Sequence, residues 1–380
     1  MSAVPFEFAT ATRIVFGAGA VREVAPAAKS MGRRALLVAG VSPALLGEAA
    51  LDCALLAVEG EPTLELVRRG IALARAEDCD LVIGLGGGSA IDAGKAVAAL
   101  VANGGDPLDY LEVIGAGRSL HAPSAPFIAV PTTAGTGAEV TRNAVLVSPE
   151  HRFKASLRSP FMLPRLAVVD PELTFDLPPA ITASTGLDAL TQLIEPYVSV
   201  RANPMTDMFC VEGMVRAARA LGRAFANGRD AQARADMSLA SLLGGLSLAN
   251  AGLGVVHGFA APIGGMFDAP HGAVCAALLA HGMDVNIRAL RARAPESEPL
   301  RRYRTVARLL TGNESVAAED GVEWVSRTCR ELGIPPLRAY GITEEHAPAL
   351  VSSAAKASSM KGNPIALTTA ELSEVFARAL

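Results

Sequence analysis

The chain has 380 residues and a formal net charge of −4. That length predicts two domains with ample core, and the mildly acidic balance without a basic run argues against nucleic acid or an anionic membrane as partner. Five scattered cysteines (Cys53, Cys79, Cys210, Cys275, Cys329) form no CxxC pair, and the N-terminal residues show no basic stretch leading into an apolar run. A cytoplasmic protein without a disulfide framework or signal peptide is expected.

Short apolar runs alternate with helical stretches as far as Pro178-Pro179. The expected strands are Arg13–Phe16, Ala35–Val38, Leu55–Val58, Leu81–Ile83, Phe127–Val130, Ala144–Val147 and Ala167–Val169, and the expected helices Ala20–Ser30, Thr63–Ala76 and Ser89–Ala102. Such alternation predicts an α/β domain over residues 1–178 with a largely parallel sheet. The weakly alternating Arg13–Phe16 could pair across a dimer edge. Beyond Pro179 the pattern is almost entirely helical, so residues 179–380 form the second domain. Within it, Arg291–Arg302 and Thr311–Asp320 read as surface helix ends and loops.

The first domain carries a phosphate-binding candidate. An apolar run reaches Gly86-Gly87-Gly88-Ser89 and continues into a helical stretch. Glycines let backbone approach a pyrophosphate, and a helix N-terminus offers free N–H groups. The loop matches neither a Walker A motif nor a regular GxGxxG, and a purely structural tight turn is the alternative. A second loop, Pro131 to Thr141, carries four threonines and two glycines directly after a strand. The carboxyl end of a strand is where open α/β sheets bind ligands; a solvated loop is the alternative.

In the second domain, Thr182–Ser199 has apolar residues at helical spacing, with Ser184 or Thr185 as N-cap. Asp188 and Gln192 share one face of that helix. Met237–Phe267 has no charged residue and is long enough to span a bilayer, but its glycines, Pro262, Asn250 and His257 favour a buried helix running into a glycine-rich loop. That loop, Gly252–Gly272, places His257 and His271 in an apolar setting. A buried imidazole needs partners for its nitrogens, and a metal supplies one. Asp188 with His257 and His271 makes a one-carboxylate, two-imidazole set suited to a divalent ion, with Gln192 a weaker amide ligand or a residue that orients water. Satisfied core histidines are the alternative.

Taken in order, GGGSAIDAGKA, PTTAGTGAEVT, Asp170-Pro-Glu-Leu-Thr174, TASTGLDALTQLIEPYVS, GVVHGFAAPIGGMFDAPHG and Lys361-Gly-Asn-Pro364 resemble the iron-containing (group III) alcohol dehydrogenases over nearly the whole chain. The resemblance implies a dehydroquinate-synthase-like fold, with an N-terminal dinucleotide-binding domain and a helical domain for metal and substrate. It makes Gly86, Gly87, Gly88 and Ser89 the pyrophosphate loop, and Thr132, Thr133 and Thr136 cofactor contacts. Lys154 matches a position near the cofactor ribose and Asn143 one near the nicotinamide. Asp188, His257 and His271 match three metal ligands.

Three departures stand out. The family's usual fourth ligand, a histidine four residues after the aspartate, is Gln192 here; relatives of the glycerol-dehydrogenase type manage with one aspartate and two histidines, commonly with zinc. A second histidine often assigned to proton relay is Ala261. Where NAD-preferring members carry an aspartate after the second strand, this chain reads Ala39-Gly40-Val41-Ser42. Loss of that carboxylate removes repulsion against a 2′-phosphate, which points to NADP or to use of both NADP and NAD.

The expected function is therefore hydride transfer between a nicotinamide and a small alcohol or aldehyde, assisted by iron or zinc, in a homo-oligomer with a dimer favoured. Other readings are a maleylacetate-reductase-like enzyme, with Arg142 or Lys361 recognising a dicarboxylate, sugar-phosphate lyase chemistry of the dehydroquinate synthase type, and a nucleotide-binding relative without turnover.

Overall fold

In the computed structural model, which describes residues 5–47 and 51–380, the first unit is built on continuously apolar strands. β1 (Arg13–Phe16), β2 (Ala35–Ala39), β3 (Cys53–Ala57), β4 (Leu81–Gly86), β5 (Phe127–Pro131) and β8 (Leu166–Val169) form one sheet in the order β1-β8-β5-β4-β2-β3, parallel throughout. The central strands β2, β4 and β5 are buried along their whole length because helices cover both faces. Alternation along β2 shows the division. Leu36 and Val38 pack with Val67 and Ile71 of α2 (Leu64–Ala76) and Val97 of α3 (Gly88–Asn103), whereas Leu37 faces Val24 and Ala28 of α1 (Val24–Met31).

Two local expectations are corrected here. The run around Ala144–Val147 is not part of the parallel sheet: β6 (Asn143–Ser148) pairs antiparallel with β7 (Phe153–Arg158) in a separate two-stranded ribbon. The stretch expected as one helix over Ala20–Ser30 begins as a 3₁₀ turn, Ala20–Glu23, before α1. A single-turn helix, α4 (Pro107–Tyr110), completes the helices of this unit, started by Asp106, whose side chain accepts from Leu108 N.

The second unit comprises α5 (Pro179–Val198), α6 (Pro204–Ala226), α7 (Ala231–Ala251), α8 (Val255–Met266), α9 (His271–Arg293), α10 (Glu298–Thr311), α11 (Ala318–Glu331), α12 (Ala347–Lys356) and α13 (Thr369–Ala379). Side-chain caps start several of them: Asn203 accepts from Thr206 N, Asp230 from Ala233 N and Thr368 from Glu371 N. α5 is the central helix, buried against α6, α7 and α9. It begins at Pro179, a residue type suited to a first turn. Ser184 and Thr185 are therefore inside the helix and not its cap; both bond back to Ile181 O. Leu177–Leu380 make up this unit together with Ala134–Thr136 and residues 5–9, while the described residues of Thr10–Thr133 and Gly137–Asp176 make up the sheet unit.

The uncharged stretch Met237–Phe267 is no straight span: α7 and α8 meet at 98°. Most of the expected glycine-rich loop is helix, because α8 runs from Val255 to Met266 and α9 restarts at His271. Among the described residues one helix, His271–Arg293, is long and apolar enough to cross a membrane, and 78% of its apolar window is buried in the protein.

Candidate active site

The buried, apolar α5 carries a carboxylate, Asp188, only 1% exposed. Oδ2 of Asp188 accepts from Gln192 Nε2 at 2.9 Å, one turn further along the helix. Its Oδ1 is buried with no hydrogen bond. That oxygen faces two imidazoles, 3.5 Å from His257 Nε2 and 3.7 Å from His271 Nε2. Leaving a buried carboxylate oxygen unbonded is costly unless a cation meets it.

Each histidine sits at a helix start. His257 lies in the first turn of α8, whose N-cap Gly254 has no side chain to offer. Neighbouring elements supply the missing acceptors: Glu195 Oε1 takes Val256 N at 2.7 Å, and Asn363 Oδ1 takes Val255 N at 3.0 Å. Asn363 is tied in turn to Asn286, its Nδ2 donating to Asn286 Oδ1 at 2.7 Å, and Asn286 donates to Tyr303 Oη at 3.1 Å. The other oxygen of Glu195, Oε2, is 2.7 Å from His257 Nδ1. A carboxylate behind an imidazole fixes the ring so that Nε2 is free to ligate. His271 opens α9, and Cys275 follows one turn later on the same face. Cys275 Sγ is 3.6 Å from His271 Nε2 and 3.8 Å from His257 Nε2.

Asp188, His257, His271 and Cys275 thus present one oxygen, two nitrogens and one sulfur within 4.8 Å of one another. Burial works against charge on Asp188, but His271, His257 and the Gln192 amide hold its carboxyl below the usual range. Burial also works against a charged imidazole; Cys275, Asp188 and Glu195 outweigh it and hold His257 well above its ordinary value. The donor set and the orphaned Oδ1 fit a divalent metal. Of the expected ligands, Asp188, His257 and His271 are brought together. Gln192 touches the group through its amide nitrogen, which also donates to Gly135 O at 3.2 Å, and its Oε1 is buried without a hydrogen bond.

Glu195 and Cys275 were missed from the sequence as site residues. Both carried a signal: Glu195 is two turns beyond Asp188 on one helix, and Cys275 is four residues after His271.

In the sheet unit, the carboxyl ends of β2, β4 and β5 gather Gly40, Gly86–Ser89 and Thr132–Thr133. Gly40 N donates to Leu85 O and Thr132 N to Gly86 O, each at 2.9 Å. Gly86 has φ +147, and a Cβ there would lie 2.9 Å from Ala90 Cβ; glycine is required by both conformation and space. The N-cap of α3 is Gly87, so no side chain covers the helix start, and Thr133 stands beside it. A bare helix N-terminus at strand ends is an anion site in waiting. Thr136 groups with the helical unit. Asn143 opens β6, where its carbonyl accepts from buried Lys95 Nζ; Lys95 also bonds Thr141 Oγ1 at 2.8 Å and pairs with Asp92 at 2.8 Å. Lys154, on β7, pairs with Glu61 at 2.8 Å.

Comparison with known proteins covers both units. Residues 11–171 match the sequence model described as iron-containing alcohol dehydrogenase, and residues 182–380 match that of the Fe-containing alcohol dehydrogenase family, C-terminal. The chain is 37% identical over 357 residues to a 1,3-propanediol dehydrogenase of Klebsiella pneumoniae, covering 92% of this chain and 89% of that protein. It is 33% identical over 384 residues to the NAD-dependent methanol dehydrogenase of Bacillus methanolicus, covering 96% and 97%. A crystal structure of a 1,3-propanediol oxidoreductase superposes with a TM-score of 0.91 at 34% identity, covering 99% of this chain and all of the other.

Proposed function

Because the chain belongs to the iron-containing alcohol dehydrogenase family, whose members are oxidoreductases acting on CH–OH groups with a nicotinamide cofactor and a divalent metal, we propose that it interconverts a small alcohol and its carbonyl compound, with the metal held by Asp188, His257 and His271. The observation that carries this reading is the buried, unbonded Oδ1 of Asp188 facing both Nε2 atoms.

When bound, the metal supplies Lewis acidity toward the substrate oxygen and the nicotinamide supplies or takes the hydride. The chain's own task is placement. Glu195 orients His257 and caps α8 with the same carboxylate. Gln192 braces the second oxygen of Asp188. Gly86–Ser89 and the start of α3 take the pyrophosphate, with Thr132 and Thr133 flanking. The Ala261 side chain offers no proton, so a proton relay would need water, the cofactor ribose or another side chain. NADP, or both nicotinamides, is the cofactor favoured by Gly40. The reading includes a homo-oligomer, for which β1, at the sheet edge among the described residues, offers a flank; light scattering measures it.

The test is NADPH oxidation with a panel of small aldehydes, using protein reconstituted anaerobically with Fe(II) or Zn(II) beside chelator-stripped protein. Metal-dependent turnover is expected; cofactor binding without turnover under either metal contradicts the reading.

A further inference from the structure

We propose that Cys275 is the fourth metal ligand of this site, so that the ion is held by a carboxylate, two imidazoles and a thiolate, with Gln192 bracing Asp188 from outside. This rests on the metal reading above and adds to it the identity of the last donor.

The distances carry the inference. An ion bound at ordinary lengths by nitrogen, oxygen and sulfur in a tetrahedron sets neighbouring N···S pairs about 3.6 Å apart and N···O pairs about 3.3 Å apart. Cys275 Sγ lies 3.6 and 3.8 Å from the two Nε2 atoms, and Asp188 Oδ1 lies 3.5 and 3.7 Å from them. The two remaining pairs, imidazole to imidazole and thiol to carboxylate, are within 4.8 Å. Closing all four donors on one ion therefore takes a side-chain movement of about an ångström. Placement agrees with this. Cys275 is buried one turn after His271, so a single helix face delivers nitrogen and sulfur together. Gln192 meets Asp188 Oδ2 with an N–H, which cannot ligate a cation, and its Oε1 is buried without a hydrogen bond, so the Gln192→Ala variant below separates an amide-oxygen donor from the thiolate.

Binding replaces the S–H bond of Cys275 with a metal–sulfur bond, and the proton leaves to solvent. No electron moves. A thiolate in the set favours a thiophilic ion such as Zn(II) over a purely oxygen- and nitrogen-seeking one. A zinc ion held by these four side chains would still admit a substrate oxygen, because catalytic zinc can expand its coordination.

The probe is Co(II), titrated anaerobically into chelator-stripped full-length protein and followed by absorbance. One equivalent is expected to produce an intense near-ultraviolet thiolate-to-cobalt charge-transfer band, which Zn(II) then abolishes by displacement. The band should vanish in Cys275→Ser and Cys275→Ala and survive in Gln192→Ala. Zinc affinity measured against a competing chelator should fall about a hundredfold or more in the serine variant, beyond the loss usual for a residue behind a ligand. Stoichiometric cobalt binding by the unmodified protein without that band, a readout needing no variant to fold, overturns the role of Cys275 alone. A band that persists in both cysteine variants does the same. Failure of the unmodified protein to bind any cobalt overturns the metal reading itself.

Discussion

Nδ1 of His257 lies 2.7 Å from Oε2 of Glu195, and this contact leaves the opposite ring nitrogen, Nε2, facing Oδ1 of Asp188. Glu195→Gln keeps an acceptor for Val256 N but replaces the carboxylate behind the imidazole with a neutral amide. Metal affinity should fall about 10- to 100-fold with the fold retained, as for other residues standing behind a metal ligand. Chelator competition beside circular dichroism measures both; unchanged affinity removes Glu195 from the site.

Helix α9 reaches α5 through Gly272, where a Cβ would lie 2.6 Å from Ser184 O, a backbone atom that cannot swing aside. Gly272→Ala therefore has to push the start of α9, and His271 with it, away from Asp188. A destabilisation of about 1–3 kcal/mol is expected, together with loss of metal retention. Urea unfolding and metal content test it, and a variant that keeps both at the original level shows that the helices approach less closely than described.

In the proposed reading, the position after β2 sets the choice between NADP and NAD. A Cβ at Gly40 would stand 3.6 Å from Ala90 Cβ and 3.7 Å from Val58 O, ordinary contacts that leave room for a side chain. Gly40→Asp should place a carboxylate where a 2′-phosphate is repelled and a ribose hydroxyl welcomed. The ratio of kcat/KM for NADPH over NADH should drop at least about tenfold, equivalent to roughly 1.4 kcal/mol. The unmodified protein should favour NADPH or use both; a tenfold NADH preference in it sinks this part of the account.

Glu139 lies within the threonine-rich loop and is buried. Burial pushes its carboxyl up to about 7 against an ordinary 4.5, with Lys95 only partly opposing. Between those pH values the folded chain holds a proton that the unfolded chain has released. The stabilisation from the protonated acid is thus complete below 4.5 and lost as pH rises through 7. Glu139→Gln, which never charges, should gain on the unmodified, cofactor-free protein from pH 5 to pH 8, by up to about 3 kcal/mol. A stability difference flat across that range contradicts the shift.

Much of the architecture was legible because the strands are buried on both faces and announce themselves as apolar runs; Arg13–Phe16 emerged with its predicted bounds. β7 was not legible, since Phe153–Arg158 interleaves Lys154, Ser156 and Arg158 and belongs to a ribbon with only partly buried faces. The glycine-rich stretch misled for a different reason. Glycine weakens an isolated helix, but α8 is capped from outside by Glu195 and Asn363 and packed on α9 and α12, which tertiary context alone supplies. Asp188, His257 and His271 could be named because a carboxylate and imidazoles in apolar surroundings are conspicuous. Cys275 was passed over despite standing four residues after His271, because a buried cysteine ordinarily passes for a small apolar residue.

The most direct test of the metal-dependent reading is a titration of chelator-stripped protein with Zn(II) or Fe(II), following bound metal and the rate of NADPH oxidation with an aldehyde in the same sample. The rate should rise from baseline in proportion to metal bound, level off at one equivalent per chain, and stay at baseline in Asp188→Ala and His271→Ala. Full turnover by metal-free protein, or by both variants, would contradict the assignment of Asp188, His257 and His271.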